Sequence, residues 1–102
     1  MDKKTDVRDP DEKVVEIEME RLRAFPNHPF KVVDDKEMEK MAETVKQGGI
    51  IIPLIVRQRA DGNYEIISGH RRKRASQLAN LKEVPCIVRN MSDDEAIIKM
   101  VD

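Results

Sequence analysis

Cysteine occurs once in these 102 residues, at Cys86, which excludes an internal disulfide and a cysteine-based metal cluster. It stands in the apolar run Val84 to Val88, the setting of a buried core thiol and not of a nucleophile. Histidine occurs only at His28 and His70, too few for a histidine-based metal site. Net charge is scarce as well. Nineteen Lys and Arg face 20 Asp and Glu, leaving −1, although charged residues make up 38% of the chain. A polycation that holds DNA by bulk charge is therefore excluded, and any phosphate recognition must be local. Met1 to Lys13 contains no apolar segment, so it offers neither a secretory signal nor a membrane span, and a cytosolic protein is expected. Residues 1–13 are too polar to offset the entropy of ordering and predict a disordered tail. There is no internal repeat and no low-complexity tract, and the remaining length, residues 14–102, suits one domain with a single core.

Apolar patterning divides that domain. Val15, Ile17 and Met19 alternate with acidic residues, predicting a half-buried strand over Val14 to Met19. Pro26, Asn27 and Pro29 make Arg23 to Phe30 an extended loop. Met38, Met41, Ala42 and Val45 recur at helical spacing, with Asp34 or Asp35 as N-cap and Gly48-Gly49 as the stop. Ile50 to Gln58 is a β-branched run, Ala60 to Asn63 a turn and Tyr64 to Ile67 the return, which together predict a hairpin. A cationic helix follows, with Ala75, Leu78 and Ala79 as its apolar stripe and Asn80 as C-cap. Glu83 to Arg89 reads as a further strand, and Ser92 to Glu95 as the capping box of a last helix. That helix is cut short at Val101-Asp102, so a longer parent protein is expected.

The segment that carries chemistry is Ser68-Gly69-His70-Arg71-Arg72-Lys73-Arg74-Ala75-Ser76. It places four consecutive cations at the start of a helix, where the dipole is positive and each added cation costs about 0.3–1 kcal/mol. A phosphate would reverse the sign, because N–H groups, dipole and guanidinium groups would all point at it. Gly69 lets the chain turn sharply and a ligand approach the backbone. Arg71 and Arg74 fall on one face and Arg72 and Ser76 on another, so two or three cations could grip a polyphosphate. Arg71 and Arg72 are expected to dominate, with Lys73 mattering less. The plain alternative is a solvated basic helix face.

Five blocks in order resemble the N-terminal domain of ParB-type partition proteins: Asn27-His28-Pro29; Gly48-Gly49-Ile50 with Ile52 to Val56; Asp61 to Arg72; Ala75; and Glu83 to Val88. The resemblance covers residues 14–102. It implies an α+β fold, a small mixed sheet with helices packed on it, shared with the sulfiredoxins. It also implies a domain that binds CTP with magnesium and closes as a clamp on DNA. Gly69, His70, Arg71 and Arg72 match the phosphate-binding motif. Gly48, Gly49, Ile50 and Pro53 match the part that frames the base, and Asn27 is a polar contact from a loop over the ligand. As a plain sequence, Asn27-His28-Pro29 is equally a turn. Magnesium is expected to arrive with the phosphates. The resemblance further implies DNA contacts through regions beyond this chain, self-association, a ParA-type ATPase partner and a nucleoid-associated location, with no membrane.

Two positions depart from the family pattern. His70 stands where the hydrolytic members carry glutamate, and Pro53 stands where glutamine is common. His70 is the one candidate for a catalytic residue, but imidazole lacks the negative charge that glutamate brings to water or magnesium, so binding is expected to survive better than turnover. The sulfiredoxin motif Gly-Cys-His-Arg has no cysteine here between Gly69 and His70, which removes that chemistry. Two other function classes remain: a module that grips nucleic-acid phosphates through Arg71 to Arg74, and a ParB-like nuclease, which would need a cluster of acids and histidines that the sequence does not display.

Overall fold

A computed structural model describes residues 12–25, 31–49 and 52–99. The strands are β1 (Val15–Glu18), β2 (Leu22–Ala24), β3 (Leu54–Gln58), β4 (Tyr64–Ser68) and β5 (Glu83–Val88); the helices are α1 (Lys36–Gly48), α2 (His70–Leu78) and α3 (Asp93–Lys99). They form one five-stranded sheet in the order β1-β5-β3-β4-β2. β1 pairs antiparallel with β5 and β3 antiparallel with β4, whereas β3 with β5 and β2 with β4 are parallel. The sheet is thus mixed, as the α+β expectation requires.

Period-2 patterning sorts side chains onto two faces. Leu54 and Val56 of β3, Ile66 of β4, and Val84 and Cys86 of β5 are buried together with Ile17 and Leu22. This is the face on which α1 and α2 lie, joined through Leu81 to a second cluster of Met38, Val45 and Ala75. The opposite parity puts Ile67 beside Ile55, Phe25, Met91 and the Ala96 of α3. Cys86 is buried and free, and burial followed by the nearby Glu16 carboxylate pushes its thiol up to about 12, the behaviour of an inert core residue.

Local chemistry sets the helix ends. The Asp35 side chain accepts from the Met38 N–H at 2.9 Å, and Gly49, at φ 77°, caps the other end with its N–H on the Val45 carbonyl at 2.7 Å. The capping box of α3 is present in both directions: Ser92 N–H to Glu95 Oε1 at 2.8 Å and Glu95 N–H to Ser92 Oγ at 3.2 Å. Ala79 closes α2, and Asn80 takes the left-handed conformation, φ 62°, just beyond it.

The structure corrects four expectations. Leu22–Ala24 is a strand pairing in parallel with β4, so part of the expected loop from Arg23 is sheet. Met19–Arg21 is a short 3-10 turn that ends β1 and aims the chain toward the other edge. The β3 strand starts at Leu54, after Ile52 and Pro53 have run outside the sheet. Leu78 is 39% exposed and leaves the apolar stripe, because α1 covers α2 at Ala75 and Ala79. Of the expected tail, residues 1–11 lie outside the described residues, while Glu12 bonds Arg89 at 2.8 and 2.9 Å.

Outside the expected site, Arg57 forms a hub. Its Nε donates to Glu65 at 2.7 Å, Nη1 to the Met91 carbonyl at 3.1 Å and Nη2 to Asp93 at 2.6 Å. Its guanidinium also lies 4.9 Å from the centroid of the Phe25 ring. This one side chain ties β3, β4, the end of β2 and the start of α3.

Candidate phosphate-binding site

β4 delivers the chain to Gly69, which is buried and turns it into α2 at φ 106°, ψ 25°. A side chain is excluded twice over. The left-handed conformation is strained for L-residues, and a Cβ would lie 2.8 Å from Cγ of Leu54 and 3.2 Å from Nη2 of Arg72. Gly69 gives α2 no side-chain cap, and the first turn holds no acidic residue. The first bond of the helix runs from the Lys73 N–H to the Gly69 carbonyl at 2.8 Å, so the N–H groups before it face out past the helix end. A helix start built this way presents positive potential to the space beyond Gly69.

The four cations behind it have divided tasks. Arg72 Nη1 donates to the carbonyls of Ile52 and Pro53 at 2.8 and 3.1 Å, tethering the segment before β3 to α2. Arg74 clasps Asp34 with Nε and Nη2 at 2.9 and 2.6 Å, and that hydrogen bonding holds the Asp34 carboxyl below its usual range. Arg71 is exposed, and among the described residues no carboxylate pairs with it. Lys73 is half-buried; burial first, then Arg23 and Arg74, push its ammonium below the ordinary lysine value.

His70 is 7% exposed and lines a cleft of about 140 Å³ with Lys73, Arg74 and Gln77 of the same helix and with Ala24, Val32 and Ile66. Gly69, His70, Arg71, Arg72 and Pro53 therefore meet at one place. Gly48 and Gly49 are exposed at the end of α1, and Ile52, three positions after Gly49, lies under the Arg72 tether. Ile50 and Asn27, with His28, lie outside the described residues. The cleft is the part that sequence reasoning missed. The spacing of His70, Lys73 and Gln77 marks one helix face, but the opposing wall needs β2, which the pattern around Pro26 hid.

The sequence matches the family model described as the ParB N-terminal domain across residues 3–101. It is 46% identical over 83 residues to stage 0 sporulation protein J of Bacillus subtilis, covering 81% of this chain and 29% of that protein. Among solved structures, the C-terminally truncated chromosome-partitioning protein ParB of Caulobacter crescentus, complexed with CTP-gamma-S, superposes with a TM-score of 0.79 at 32% identity, over 87% of this chain and 51% of that one. Sulfiredoxin from Arabidopsis thaliana shares the fold, with a TM-score of 0.69 at 24% identity over 86% of this chain and 97% of its own. The chain spans about three tenths of the length of the curated relatives it matches. With the family model matched over nearly the whole chain and 46% identity to a relative over 81% of it, the chain belongs to the ParB N-terminal domain family.

Proposed function

We propose that this domain is a nucleotide-binding switch, with CTP as the nucleotide, within a partition-type DNA-binding protein. The observation that carries the reading is the α2 start: a buried Gly69 at which a side chain would be strained and would clash with Leu54, no acidic cap, and Arg71 exposed without a carboxylate among the described residues. Phosphates belong on the outward N–H groups and Arg71. The carbonyls of Ile52 and Pro53 are fixed by Arg72, so the segment expected to frame the base is held to the segment expected to hold the phosphates. The similarity to a ParB solved with a CTP analogue supports cytidine as the base. DNA contacts, self-association and a ParA-type partner belong to the same reading at the level of the full-length protein.

Magnesium enters this reading bound to the phosphates. Among the described residues no three His, Cys, Asp or Glu side chains converge to hold a metal ion. Binding is favoured over turnover, because His70 supplies no carboxylate at the helix start and lies buried against the sheet.

Calorimetric titration of CTP, ATP, GTP and UTP with magnesium tests the reading. Saturable binding of CTP, at least tenfold tighter than the other three, is the expected result. The second reading, a grip on nucleic-acid phosphates through Arg71, predicts equal weak binding of all four that falls steeply with salt.

A further inference from the structure

We propose that Lys73 seats the terminal phosphates of the bound nucleotide, in the cleft between α2 and β2, and so makes the site select triphosphate over monophosphate. This rests on the nucleotide-binding reading and goes beyond the helix-start motif to a residue that the sequence ranks behind Arg71 and Arg72.

Lys73 is half-buried, and lysines withdrawn from water ordinarily have a carboxylate partner. The charges that act on it are those of Arg23 on β2 and Arg74 on its own helix, and Arg74 is already paired with Asp34. Among the described residues no carboxylate forms an ion pair with Lys73. Burial first, then the two arginines, weaken its hold on the proton, and a dianion beside it would oppose that.

Geometry gives the ligand its direction. Helical side chains lean toward the N-terminus, so the Lys73 stem runs back over His70, three residues earlier, toward the first turn. Lys73 sits about one turn, roughly 5 Å of rise, behind the helix start. The cleft begins at His70, the first residue of α2, so a polyphosphate seated on the first-turn N–H groups reaches toward it where a single phosphate does not. The cleft, about 140 Å³, is well below the roughly 300–1,000 Å³ of a pocket that encloses a whole small-molecule ligand, so it suits one end of a nucleotide and not its base. Ala24, Val32 and Ile66 give the cleft an apolar side.

The test compares CMP, CDP and CTP, each with magnesium, on the parent protein, Lys73→Met and Lys73→Arg. Methionine keeps the stem and the helix propensity, and a thermal melt confirms that both variants fold. The parent should bind CTP more tightly than CMP. Lys73→Met should weaken CTP by about tenfold, the worth of one charge-assisted hydrogen bond, while CMP changes by less than about twofold. Lys73→Arg should retain the preference. The inference is overturned if Lys73→Met binds CTP as the parent does, or loses CTP and CMP alike. A parent that binds no cytidine nucleotide overturns the nucleotide-binding reading together with it; a parent that binds CTP with an indifferent Lys73→Met overturns the Lys73 role alone.

Discussion

Gly69→Ala is expected to abolish nucleotide binding and to destabilise the domain by about 2–5 kcal/mol. The left-handed backbone at this position costs an L-residue roughly 1–2 kcal/mol. The added methyl lies 2.8 Å from Cγ of Leu54, a fully buried side chain, and overpacking of this kind costs about 1–3 kcal/mol more. Relief requires the turn between β4 and α2 to move, which carries the first-turn N–H groups and Arg72 with it. Arg72 would then lose its hold on Ile52 and Pro53. Urea unfolding should show a lower midpoint with an unchanged slope, and CTP titration of the folded fraction should show no saturable heat. An unchanged midpoint with intact binding would mean that the turn is not the rigid element described.

The second large effect lies on the other face of the sheet. Arg57→Met should cost about 2–4 kcal/mol, because it leaves Glu65, 8% exposed, without its short partner and with only Arg59 at 3.9 Å. The loss should be uneven. Among the described residues Arg57 alone supplies hydrogen bonds to the Met91 carbonyl and Asp93 at the start of α3, whereas α1 and α2 pack on the opposite face without it. Hydrogen exchange should accelerate most at residues 96–99 and least in α1. Uniform acceleration across all three helices would show that the hub supports the whole sheet and not α3 in particular.

Much of the fold was legible because its signals are local. Asp35, Gly49, and the Ser92 and Glu95 pair act within one helical turn of their targets, so their side chains announce the ends of α1 and α3. The hairpin was equally plain from its β-branched arm and the Ala60 to Asn63 turn, although the register that sets Arg57 opposite Glu65 was not. β2 was not legible. Three residues cannot show a period, and what makes Leu22–Ala24 a strand is its parallel partner Tyr64–Ile66, some forty positions away. Leu78 failed for a related reason: periodicity gives a face, but only tertiary packing decides how wide a face is covered. At the site, Gly69 and the basic run stood out, yet the division of labour within the run did not. Arg72 binds two backbone carbonyls about twenty residues upstream, and Arg74 binds Asp34 forty residues upstream. Neither partner carries a sequence signature.

The most direct measurement follows the backbone N–H signals of the isotopically labelled protein by NMR during addition of CTP with magnesium. Phosphates seated at the start of α2 should shift the Gly69, His70, Arg71 and Arg72 amides saturably and together, by more than the amides of α3. CTP binding that moves residues elsewhere while these four stay in place would contradict a nucleotide site built on the Gly69 turn.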